Sequence, residues 1–260
     1  MLYTDRQRPW RQSGFTELPD WECPHCQVSP LKVDEASLEI YPDPDSLEGK
    51  NKDWEPDWDD QTFHVILRCT NPGCRAIVSC HGTSKVHEIR DPDVTEEDRW
   101  TNILSPRSFC PPIYYFRLDS RYPEPVRKHL RRAFSAYWSD LPSVMNCMRT
   151  AVEAVMDDKG VEARNENDSP IPLKRRLQNF LESHQNTYDA VLLEAIRLLG
   201  NEGSHSNEGN ISDTWVLNTF EMAEALLGSL YDKHAQVRVF AEKVVSAERL
   251  RKIKKSGPPS

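Results

Sequence analysis

The sequence predicts a mainly α protein, an antiparallel helical bundle preceded by a small β ribbon, and three observations lead there. Turn residues and short β-branched runs fill roughly the first 120 of the 260 residues. From Glu124 onward apolar residues recur at three- and four-residue spacing, as the buried face of a helix requires. Two tight pairs of cysteines lie in the first part, one of them at the tip of a hairpin signal. The expected division is a ribbon domain over 1–120 and a bundle over 121–260.

In the first part, Phe63-His64-Val65-Ile66-Leu67 and Ala76-Ile77-Val78-Ser79-Cys80 flank the turn Thr70-Asn71-Pro72-Gly73 and read as a hairpin. Residues 42–60 hold three prolines and eight acids against Lys50 and Lys52, a net of −6, and read as a mobile acidic insertion. Pro106, Pro111, Pro112, Pro123 and Pro125 mark a joint to the helical part.

The first helix carries Val126, Leu130, Phe134, Tyr137 and Trp138 on one face. A second starts near Pro142, whose missing N–H does no harm in a first turn, continues through Val144, Met148, Val152 and Val155, and stops at Gly160. A shorter helix follows through Leu173, Leu177, Phe180 and Leu181, then another through Tyr188, Leu192, Leu193, Ile196 and Leu199. The last begins at Ser212 or Asp213, either of which can cap it, and runs through Trp215, Leu217, Phe220, Ala223, Leu226, Leu227 and Leu230.

Composition narrows the function classes. Mean hydropathy is −0.68 and 28% of residues are charged. No run approaches the ~18 apolar residues of a membrane helix, and the amino terminus has charges where a signal peptide is apolar. The expectation is a cytoplasmic protein without a membrane partner. Net charge is −8, but most of it sits in the acidic insertion. Basic clusters at Arg127, Lys128, Arg131 and Arg132, at Lys174, Arg175 and Arg176, and over 249–255 leave a polyanion partner open.

Cys23-Pro-His-Cys26 and Cys69-Thr-Asn-Pro-Gly-Cys74 have the spacing of metal-binding turns, which point backbone N–H groups at thiolates and soften their repulsion. Four thiolates around one ion suit zinc, and a four-ligand site has no open position for water, so this zinc is expected to be structural. Cys80 and His81 are near enough in sequence to substitute as ligands. His25 reads as a spacer facing solvent, and Cys110 and Cys147 as small buried residues.

The stretch Glu194-Ala-Ile-Arg197-Leu-Leu-Gly200-Asn201-Glu-Gly203-Ser-His205 is the most unusual piece of the chain. Histidine titrates near neutrality, arginine can hold a phosphate bidentately, and asparagine can orient either. A straight helix sets Arg197 and His205 about 12 Å apart along its axis, whereas a turn released at Gly203 would fold His205 back. The alternative on residue types alone is a helix end at Gly203, with Asn201 and His205 capping carbonyls. Arg149 and Glu153, four apart on the second helix, form either an ordinary ion pair or supporting members of the same cluster.

On Pro125 with the helix after it, Met148-Arg149-Thr-Ala-Val-Glu153 followed by Gly160, and Arg197-Leu-Leu-Gly-Asn201-Glu-Gly-Ser-His205, the chain resembles the bacterial family catalogued as domain of unknown function four-one-four-five, a branch of the HEPN superfamily. The resemblance covers about 121–232 directly, and the cysteine turns extend it, since such proteins often carry a zinc ribbon ahead of the helices. It implies an antiparallel, up-and-down HEPN-like bundle, a homodimer, and in active members a metal-independent endoribonuclease of toxin or phage-defence systems. In that scheme His205 would be the general acid or base, Arg197 the phosphate-stabilising cation and Asn201 the positioning group, with Glu153 orienting Arg197 or His205. Seven residues separate Arg197 and His205 here, more than in the family's catalytic motif. The competing expectation is a non-catalytic scaffold that binds a protein or nucleotide partner. Trp215, Leu226, Leu227 and Leu230 carry more apolar surface than docking one helix needs, so the homodimer is expected through the helical half.

Overall fold

A computed structural model describes residues 5–10, 14–44, 46, 56–89, 95, 99–183, 187–205, 211–231 and 244–245. Five strands form one antiparallel sheet: β1 (Leu31–Val33), β2 (Glu39–Pro42), β3 (Asp60–Cys69), β4 (Ile77–Glu88) and β5 (Trp100–Cys110). Five helices follow: α1 (Glu124–Ala136), α2 (Leu141–Asp158), α3 (Leu173–Ser183), α4 (Thr187–His205) and α5 (Asp213–Leu230). The order across the sheet is β1-β3-β4-β5, with β2 lying along β3 beyond β1.

The sheet corrects the mainly α expectation. A β half with strands of 10, 12 and 11 residues is a layer in its own right, and the chain is an α+β protein with an N-terminal β part and a helical C-terminal part. The hairpin expected around 70–73 is present, but both strands run further than their apolar residues suggest. In β4 the buried positions are Val78, Cys80, Gly82 and Ser84, alternating with exposed His81, Thr83 and Lys85. Small or hydroxyl side chains on the inner face hide the period-two pattern. β5 was expected to be joint rather than strand because of Pro106. That proline sits opposite Gly82, beside a register shift, on a strand flanked beyond β4 by only an isolated bridge from Phe15 to Leu104. A missing N–H is tolerated at such an edge.

The acidic insertion is ordered at both ends. Pro42 closes β2, Asp60 opens β3, and the Asp43 N–H donates to the Asp60 carbonyl at 2.8 Å. Residues 45 and 47–55 lie outside those described.

The helices match their expected ranges, and their caps explain why. The Asp140 side chain accepts from the Ser143 N–H at the start of α2, which ends before Gly160 at φ +73°. Ser212 caps α5 by accepting from Trp215 N–H. Buried faces follow the periodicity except at Tyr188 and Trp215, which are exposed. Leu226 and Leu227 are spent on the chain's own core, with 1% and 2% exposure, so they offer no surface to a second copy. No helix among the described residues is long and apolar enough to cross a membrane.

The two halves share one apolar core. Trp138, just past α1, stacks on Trp10 at 5.5 Å and meets Trp21 at 5.7 Å and Phe109 of β5 at 4.9 Å. Trp10 also meets Tyr115 and Tyr137, and Tyr115 meets Phe220 of α5 at 5.3 Å. The 3-10 turn Asp5–Trp10 is fastened to α5, with Arg6 paired to Glu224 and Gln7 donating to Asn218 at 3.2 Å.

Gly82 is the tightest point of the sheet. A Cβ there would lie 2.2 Å from the Ser105 carbonyl oxygen and 2.6 Å from Phe63. Gly82→Ala is therefore expected to destabilise the protein by about 1–3 kcal/mol, the usual cost of overpacking, read as a lower denaturant midpoint at unchanged m.

Candidate functional site

The four cysteines expected to share an ion converge. Cys23 and Cys26 lie on the turn before β1, Cys69 ends β3, and Cys74 lies in the turn that leads to β4. The β1–β3 pairing sets Leu31 opposite Cys69, which brings the two turns together. All four sulfurs lie within 4.8 Å of one another, with Cys23 Sγ 3.8 Å from Cys74 Sγ and Cys26 Sγ 3.7 Å from Cys69 Sγ. This cluster can hold a metal ion.

Each turn ends in the same backbone device. Gln27, directly after Cys26, has φ +51°, and Arg75, directly after Cys74, has φ +53°. A left-handed residue reverses the chain at once, folding it back around the sulfurs. The Gln27 N–H donates to the Cys23 carbonyl, and both Cys74 and Arg75 N–H donate to the Asn71 carbonyl. Neither residue is glycine, which is why the sequence alone does not disclose the conformation.

The thiols ionise unequally. Hydrogen bonding from the Ser29 backbone, then from Val28, lowers Cys26 to about 6. Burial pushes Cys69 up to about 12, with the neighbouring thiols adding to it. Full ionisation of four sulfurs this close needs a cation among them. His25 is exposed as expected, yet its Nδ1 lies 3.3 Å from Cys74 Sγ, so it is a neighbour of the cluster rather than a plain spacer. Neither substitute ligand belongs to the group. Cys80 is fully buried on the inner face of β4, its thiol raised to about 12 by burial, and His81 points to the opposite, exposed face. Cys110 is exposed rather than buried, and Cys147 is half-buried.

The polar cluster is arranged differently from either expectation. α4 runs through Gly200 and Gly203 to His205, so no turn is released at Gly203 and no helix end lies there. Eight residues of continuous helix put about 12 Å between Arg197 and His205 along the axis. Asn201 is half-buried, and the His205 side chain lies outside the described residues. Arg197 is 9% exposed and grips Glu194, one turn earlier, through Nε at 2.8 Å and a terminal nitrogen at 2.6 Å. That bidentate pairing holds the Glu194 carboxyl below its ordinary value.

Gly200 serves packing. A Cβ there would lie 2.7 Å from Arg149 Cβ and 3.1 Å from the Met145 carbonyl oxygen, so its absence lets α4 close on α2. Arg149 is thereby set against α4. Arg149 and Glu153 pair with each other at 3.5 Å, and among the described residues the Arg149 Nε has no acceptor.

For the cysteine cluster, the purified chain is expected to carry about one metal ion, and Cys69→Ser to lose it together with much of its thermal stability. Elemental analysis beside a melting curve reads both, and a metal-free, fully stable wild type would refute the assignment.

Comparison with known proteins places two families on the chain. Residues 13–109 match the family described as Domain of unknown function (DUF8608), which spans the sheet and the cysteine cluster. Residues 131–255 match Domain of unknown function (DUF4145), which includes α2, α3, α4 and α5. No curated protein and no solved structure matches the chain. Each family covers less than half of the 260 residues, and the two together divide the chain between its β and helical parts.

Proposed function

We propose that this protein is a non-catalytic binding scaffold, in which a structural zinc fixes the β half and the helical half docks a partner. The occupied Arg197 carries this reading. A phosphate-stabilising arginine must present its fork to substrate, whereas here the fork is buried and filled by Glu194. Zinc is supported by distance: tetrahedral zinc with Zn–S of about 2.3 Å separates its sulfurs by about 3.8 Å. Two of the six sulfur–sulfur edges, 3.7 and 3.8 Å, fit that length, and all six stay within 4.8 Å. Four protein ligands leave no position for substrate or water, so the ion's role is to hold the fold.

The competing reading, a metal-independent, RNA-cleaving HEPN-like protein of a defence or toxin system, draws on the family match across Arg197, Asn201 and His205. It requires Glu194 to release Arg197 and the missing reach to His205 to come from a second chain. Incubating the full chain with mixed RNA in the presence of a chelator separates the two. The scaffold reading expects intact RNA. Products ending in 2′,3′-cyclic phosphate, lost in His205→Ala, would replace it with the ribonuclease reading.

The partner supported best is a second copy, docked through α4. Tyr188, Val191 and Leu198 are 60%, 66% and 51% exposed and fall on one face of that helix, at the spacing of an interface stripe. Trp215, at 47%, adds a further exposed apolar residue from α5. Light scattering is expected to give a dimer at micromolar concentration and Val191→Glu a monomer, while a wild-type monomer would count against this surface.

A further inference from the structure

Beside the Arg197 segment lies a separate cavity of about 360 Å³, set between α2 and the start of α3. Its walls include Arg149 and Glu153 from α2, Ile171 and Pro172 from the loop ahead of α3, and Leu173 and Arg176 from the first turn of α3. This volume suits a small metabolite rather than a polymer.

The charge on these walls is unusual. Arg176 is 5% exposed, a degree of burial that arginine tolerates only when its donors are used. One terminal nitrogen donates to Asp157 at 2.5 Å and to the Val161 carbonyl at 2.8 Å, but its Nε has no acceptor. Across the cavity, the Arg149 Nε is likewise buried without an acceptor among the described residues, where the one carboxylate contact of this guanidinium is the long one from a terminal nitrogen to Glu153. Both Nε atoms are sealed from solvent, but among the described residues the second terminal nitrogen of Arg176 and the half-exposed fork of Arg149 make no short hydrogen bond, so two guanidiniums wall one small space with donors left over. The first amides of α3 add to the same demand. Arg175 and Arg176 N–H already bond back to Pro172, and the N–H groups of Leu173 and Lys174 precede the first intrahelical acceptor.

We propose that this cavity binds a small phosphomonoester, its phosphate held between Arg149, Arg176 and the amino end of α3. A phosphate offers several acceptor oxygens around one centre, which matches donors arriving from two arginines and a helix start. Glu153 is the one acidic group on the walls, while Asp157, 62% exposed at its side chain, faces Arg176 from outside them. Glu153 repels the phosphate itself and accepts from a hydroxyl on the organic part of the ligand. That selects a hydroxylated phosphomonoester over bare phosphate. Exposed Lys174 and Arg175, which flank Arg176 in the sequence and which the scaffold reading leaves unused, raise the local anion concentration at this end of α3. This site does not depend on the scaffold reading, since neither Arg197 nor the cysteines take part.

Titration calorimetry of the full chain with inorganic phosphate and with glycerol phosphate, at matched ionic strength in chloride, tests it. The expected result is one saturable site per chain for both, tighter for glycerol phosphate. Arg149→Gln should weaken both by about 10- to 100-fold, the usual value of a charge-assisted hydrogen bond. Glu153→Ala, which removes both the charge and the acceptor, should strengthen inorganic phosphate and abolish the advantage of glycerol phosphate, a sign that general destabilisation would not produce. Arg176 is left intact because its pairing with Asp157 and Val161 ties α2 to α3. Absence of saturable heat with the wild type, or affinities unmoved by Arg149→Gln in a folded variant, would overturn the site.

Discussion

Everything in this fold is joined at Trp138. Its indole is 1% exposed and touches a segment from before the sheet, Trp10, a residue leading into the sheet, Trp21, and a residue of the edge strand, Phe109. Aromatic pairs in edge and offset geometry contribute about 0.5–1.5 kcal/mol each beyond the area they bury. Several meeting on one ring make that ring the hinge point of two layers that would otherwise share little. The Tyr137 hydroxyl donates to the Trp10 carbonyl, and the Trp21 indole N–H to Pro9 at 2.9 Å, so the amino-terminal segment is held by its backbone as well as by its rings. Among the described residues the Trp138 Nε1 has no acceptor, a cost accepted for the packing around it.

How much of this was legible in the sequence follows from the physics of each half. Helices α1 to α5 announce themselves because one buried face repeats every three or four residues and because Asp140, Ser212 and Gly160 punctuate the ends. The sheet hides itself: β4 buries Gly82 and Ser84, and β5 contains a proline. The amino-terminal tryptophans carry no periodicity at all, since Trp138, the ring they share, is more than a hundred residues away. At the cysteines, spacing revealed which four converge but not the left-handed Gln27 and Arg75 that close each turn.

The Arg197 segment shows how residue type and spacing alone misdirect. Glycine in a helix reads as a break, because its cost is entropic and its usual place is an end. Here Gly200 lies at a contact where any side chain would meet the backbone of α2 at Met145, so the helix keeps it to bring two axes close. The same closeness sets Arg149 beside α4. Arg197, which looks free in sequence, has its partner one turn away on its own helix.

The base of the acidic connection has its own consequence. The chain leaves β2 and re-enters β3 across a single backbone hydrogen bond between Asp43 and Asp60, next to strands already paired in register. Ser46 fastens the chain after β2 to the same residue, its Oγ accepting from the Asp60 N–H at 3.0 Å, and the turn Pro56–Trp58 packs beside β4. The entropic cost of closing such a loop grows only logarithmically, by about 0.6 kcal/mol for each doubling of length. A change of length between Ser46 and Pro56 therefore adds little closure cost as long as both anchors are kept, and it leaves untouched the pairs that set the register of β2 and β3 and, through β3, the place of Cys69.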